Sequence, residues 1–62
     1  MTFGRFVSKY SKQHNLPNTR DLRSKLVDRW IDVWDYCDKH NIPLQRLDYN
    51  PESDQFYIKL KL

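Results

Sequence analysis

The spacing of apolar positions changes period along this chain. Phe3, Phe6, Val7 and Tyr10 fall at i, i+3, i+4 and i+7, one face of an α-helix. Thr2 is placed to cap that helix, and Arg5, Lys9 and Lys12 form a basic stripe opposite the apolar face. The pattern predicts a helix over 3–13. A longer amphipathic run follows, carried by Leu22, Leu26, Val27, Trp30, Ile31, Val33, Trp34 and Cys37, which spread over about half the helix circumference. Asn18 and Asp21 resemble a capping box at its start, so the second helix is predicted over about 19–39. After Pro43 the period drops to two. Leu47 and Tyr49 alternate with Arg46 and Asp48; Phe56, Ile58, Leu60 and Leu62 alternate with Tyr57, Lys59 and Lys61. This predicts a β-hairpin with strands at about 44–49 and 55–62, joined by the turn-forming segment Asn50–Asp54.

One phrase occurs twice. Residues 10–17 read YSKQHNLP and residues 36–43 read YCDKHNIP. Each copy closes a predicted helix. Asn is the commonest residue after Gly at the left-handed position that ends a helix, the next residue folds back on the last turn, and Pro blocks continuation. Asn15 and Asn41 take the left-handed role, and Leu16 and Ile42 are placed to fold back on Tyr10 and Tyr36.

The lengths suggest an assembly. The second helix is ~32 Å long and the first only ~17 Å. Folded back antiparallel, the first covers the N-terminal half of the second. The C-terminal half, with Trp30, Val33, Trp34 and Cys37, needs another cover, and the apolar face of the hairpin is the candidate. The expected class is α+β: two antiparallel helices, then a C-terminal hairpin packed on the second helix, as a single small domain over 1–62.

Composition narrows the chemistry. A chain of 62 residues buries only ~60% of its unfolded surface, and its nine aromatics help to offset that. The single cysteine, Cys37, excludes an internal disulfide, which suits a reducing, cytoplasmic setting. No apolar run approaches the ~20 residues of a membrane span, and no signal-peptide pattern is visible. Cys37-x-x-His40 has the spacing of a zinc half-site, but His14, the obvious third ligand, is ~30 Å from His40 in an antiparallel pair. A Cys37/His40 nucleophile pair has no glycine-rich loop or oxyanion cradle beside it. The sequence points to no metal, no cofactor and no enzyme activity.

What remains are surfaces. Net charge is +3, which permits nucleic-acid binding without demanding it. Arg46, Tyr57, Lys59 and Lys61 should project from the outer face of the hairpin, and a two-stranded ribbon fits a DNA major groove with a Tyr free to stack on a base. With Arg5, Lys9 and Lys12 they make the leading expectation, a small regulatory protein that binds DNA or RNA. The alternative is a protein-interaction module or inhibitor, of the kind small phage and mobile-element proteins provide. It would dock through Ile31 and Trp34, or through the acidic ridge that includes Asp28, Asp32 and Asp35, and a homodimer is one form of it.

Overall fold

The structure is a computed structural model and describes residues 1–59. Helix α1 spans Phe3–Gln13 and α2 spans Arg20–Lys39; a 3-10 turn, Leu44–Arg46, leads into strand β1, Leu47–Asn50, and β2, Gln55–Ile58, returns antiparallel to it. This is the α+β order that the hydrophobic pattern predicts. The last positions expected in the second strand, Leu60, Lys61 and Leu62, lie outside the described residues.

Both helix ends form as the repeated phrase requires. Asn15 and Asn41 adopt φ of 53° and 55°. The Leu16 N–H donates to Ser11 O at 2.9 Å and the Asn15 N–H to Lys12 O at 3.3 Å; Ile42 and Asn41 repeat the pair on Cys37 O at 2.8 Å and Asp38 O at 3.3 Å. These are Schellman closures, satisfying carbonyls that the last helical turn leaves unpaired. The histidines also have a place in the phrase. His14 packs on Tyr10 with ring centroids 4.2 Å apart, and His40 on Tyr36 at 4.3 Å. A left-handed backbone is tolerable for Asn, free for Gly and strained for a β-branched residue. Asn15→Gly and Asn41→Gly are therefore expected to hold or raise the urea midpoint. Asn15→Val and Asn41→Val should each cost about 1–2 kcal/mol.

Three boundaries differ from expectation. Thr19, not Asn18, caps α2, its hydroxyl accepting from the Leu22 N–H at 3.4 Å. The Thr19 N–H donates to Pro17 O at 3.0 Å, which bends the chain at Asn18 and delivers Thr19 to the helix mouth. Asp21 then sits in the first turn as a favourable charge rather than as half of a capping box. Residues 44–46 turn instead of extending, because Pro43 at φ −65° leads straight into an Arg46 N–H to Pro43 O bond at 3.0 Å. The hairpin loop is 51–54, with Asn50 paired to Gln55 and Asp54 left-handed at φ 58°. Asn50 Oδ1 accepts the Glu52 N–H at 3.1 Å and starts that turn.

Phe6 and Val7 of α1, Leu22 and Leu26 of α2, and Tyr49 of β1 form the buried core, with Met1, Phe3, Tyr10, Trp30 and Phe56 packed around it. Phe6 is its hub. Its ring lies 4.8 Å from Tyr49, 4.9 Å from Phe56 and 6.2 Å from Trp30. The hairpin therefore rests across both helices rather than on α2 alone. It meets α1 through Phe6 and α2 through Trp30, whose ring lies 6.4 Å from Phe56. Strand alternation holds on β1, where Leu47 and Tyr49 point inward.

Candidate functional site

The outer face of the hairpin is organised around one carboxylate. Asp48 on β1 pairs in register with Tyr57 on β2, and its side chain is only 15% exposed. Its Oδ1 accepts from Lys9 Nζ at 2.7 Å and from the Tyr49 N–H at 2.8 Å. Its Oδ2 accepts from the Tyr57 hydroxyl at 3.1 Å, with Lys59 Nζ 3.2 Å away. Burial pushes the carboxyl pKa up, but the Lys9, Tyr49 N–H, Lys59 and Tyr57 donors outweigh it and hold the group far below the ordinary carboxylate range.

This arrangement redistributes the residues expected to bind nucleic acid. Lys9 does not lie opposite the apolar face. It flanks Phe6, about 60° round α1 at ~100° per residue, on the side where the hairpin packs. Lys9, Tyr57 and Lys59 all converge on Asp48, whose one carboxylate offsets one of the two lysine charges and ties all three side chains down. Arg5, Lys12 and Arg46 are exposed and form no ion pair among the described residues, and Lys61 lies outside them.

A second polar cluster ties the hairpin loop to α2. Arg29 Nη1 donates to Asp54 Oδ1 at 2.7 Å and Nη2 to Asp54 O at 2.6 Å. Its guanidinium sits 5.6–5.8 Å from the Phe6, Tyr49 and Phe56 ring centroids. The Tyr49 hydroxyl donates to the same Asp54 carboxylate. The Tyr49 and Arg29 hydrogen bonds hold the Asp54 carboxyl below its ordinary pKa. Burial, then Asp54, pushes the Tyr49 hydroxyl up to about 12. The sequence reading did not single out Arg29, although a signal is present. Leu22, Leu26, Arg29, Val33 and Cys37 follow at helical steps, which places the arginine inside the apolar stripe.

These two carboxylates set the acid stability. A carboxyl whose pKa is depressed by folding stabilises the fold fully above its unfolded value, here 3.8, and loses that contribution as pH falls through the folded value. Unfolding free energy is therefore expected to drop below about pH 4. Asp48→Asn should lower stability at pH 7 by about 1 kcal/mol and flatten part of that acid slope, both read from urea unfolding at several pH values. A slope unchanged by the substitution would contradict the assignment.

The outer face of α2 is the opposite case. Ile31 is 52% exposed, Trp34 48% and Val27 36%, side by side at i, i+4 and i+7. Trp30 is half-buried beneath Phe3 and Phe6. Asp28, Asp32 and Asp35 are also exposed; Asp35 pairs with Lys39 at 3.0 Å, whereas the spacing-matched Asp21 and Lys25 form no ion pair among the described residues. A cleft of about 430 Å³ opens between α2 and the hairpin, lined mainly by Val33, Tyr36, Cys37, Leu47, Phe56 and Ile58.

Cys37 is buried, and burial pushes its thiol pKa up, away from the nucleophilic thiolate. His40 caps α2 at the exposed end, and no group of three or more His, Cys, Asp or Glu converges among the described residues. Nor is any helix among them long and apolar enough to cross a membrane. No family model, curated protein or solved structure matches the chain.

Proposed function

We propose that the protein is a non-enzymatic interaction module that docks on another polypeptide through the outer face of α2. The observation that carries this reading is the exposure of Val27, Ile31 and Trp34 on one helical stripe. Full burial of such side chains is worth about 1.5–3 kcal/mol each, and in a small domain with little core to spare that gain is left unused. Contiguous apolar surface containing a Trp is typical of protein interfaces. The nucleic-acid reading loses some ground for an electrostatic reason: the Asp48 carboxylate offsets one of the two lysine charges beside it, leaving one fewer net positive charge to displace counterions from a phosphate backbone.

The test is a photo-crosslinking residue placed in turn at Ile31 and at Tyr57 in the full chain, expressed in its native host. Position 31 is expected to give a discrete protein adduct and position 57 none. An adduct from 57 alone, or tight and steeply salt-dependent binding of a short DNA or RNA by the purified protein, would overturn the proposal in favour of the hairpin face.

A further inference from the structure

Arg20, Arg23, Val27, Ile31, Trp34 and Asp38 follow one another along α2 at steps of three and four residues, and all are exposed. Such steps place them on one stripe. Its middle is apolar and its ends carry opposite charge, arginines at the N-terminal end and Asp38 at the C-terminal end. These charges oppose the helix macrodipole, which favours acids in the first turn and bases in the last. An isolated α2 gains nothing from the arrangement. Arg20, Arg23 and Asp38 form no ion pair among the described residues.

The stripe is complementary to itself when reversed. Counted from Arg29, Arg20 and Asp38 stand nine residues to either side and Val27 and Ile31 two. A second α2 laid antiparallel, with a two-fold axis level with Arg29, sets these residues, which lie close to the centreline of the stripe, against their counterparts. Arg20 meets Asp38 and Val27 meets Ile31. A parallel pairing would set arginine against arginine and aspartate against aspartate. Two-fold contacts of this isologous kind are the commonest in soluble oligomers.

We infer that the occupant of this face is a second copy of the chain, paired antiparallel through α2. This rests on the docking reading above and names its partner. The contact is a single helical stripe, at the small end of protein interfaces, so the dimer is weak.

Sedimentation equilibrium of the full chain over a concentration series at low salt tests it, with circular dichroism to verify that each variant folds. Wild type is expected to move from monomer to dimer. Ile31→Glu should weaken association at least tenfold, and so should Arg20→Glu. The variant that also carries Asp38→Lys restores the Arg20–Asp38 cross-pair in the antiparallel arrangement and not in the parallel one, so it should recover dimerisation close to wild type. A wild-type monomer throughout the series overturns self-pairing. So does a dimer indifferent to these variants, or failure of the charge-exchanged chain to recover. Failure of self-pairing is separable from failure of docking: a crosslink from position 31 to a different protein overturns the dimer while supporting the interaction module, and an adduct of twice the chain mass supports both.

Discussion

Replacing Phe6 by Ala is expected to remove most of the domain's stability. Phe6 is 0% exposed, and its ring touches the hairpin through Tyr49 and Phe56 and α2 through Trp30. Truncating a buried Phe costs about 3–5 kcal/mol, because the lost transfer energy is joined by the cavity left behind. A domain of this size has roughly 3–9 kcal/mol in total. The melting temperature should fall by about 15 °C or more, since each kcal/mol shifts a domain this small by about 4–8 °C. The near-ultraviolet circular dichroism of the surrounding rings should collapse with it. A fall of only a few degrees would mean that the hairpin and helices are held by something other than this ring cluster.

Arg29→Ala carries the second largest effect, about 2 kcal/mol. The ion pair alone would not justify that figure, because Arg29 and Asp54 side chains are 35% and 50% exposed and surface pairs are worth little. The larger loss comes from the rest of the clamp: a second hydrogen bond to the Asp54 carbonyl and a guanidinium lying among three rings. Arg29→Lys keeps the charge and the stem but not the planar fork, and should recover about half of the loss. A double-mutant cycle with Asp54→Ala should show coupling of about 1 kcal/mol. Additive losses would mean that the loop and α2 are held independently. Tyr49 shares the cluster, and its hydroxyl pKa is raised to about 12 by folding. The stability it contributes is complete below the unfolded value of 10 and lost as pH climbs toward 12.

The parts of this structure that were legible in the sequence are those encoded locally. Asn15 and Asn41 announce the helix ends because a left-handed residue followed by an aliphatic and a proline has few other uses. Leu47, Tyr49 and Phe56 announce the hairpin because a half-buried strand must alternate. The capping residue moved by one place, from Asn18 to Thr19, because both side chains can cap and only the loop path chooses between them. The strand start moved because Pro43 permits a turn as readily as an extension.

The candidate surface was less legible, because it depends on which long side chains find partners across the fold. Lys9 and Lys59 are far apart in sequence and meet only at Asp48. Asp48 reads in the sequence as one more polar strand position. Its four donors come from a helix, both strands and the residue just after β2, and periodicity carries no information about that. The exposure of Ile31 and Trp34 was foreseeable only as an alternative, since an apolar stripe covering half of α2 could have been fully enclosed. The hairpin instead settles over Phe6, between the helices, and Ile31 and Trp34 stay about half exposed.

The measurement that bears most directly on where this protein binds is a two-dimensional amide NMR series on isotope-labelled full-length chain. It is recorded first on dilution and then with a short DNA duplex at low salt. Dilution is expected to shift the amides of Val27, Ile31 and Trp34 and the Trp34 indole, and DNA to leave Arg46, Tyr57 and Lys59 in place. Amides of α2 that stay fixed on dilution, with duplex-dependent shifts at Arg46, Tyr57 and Lys59, would contradict it and return the function to the hairpin.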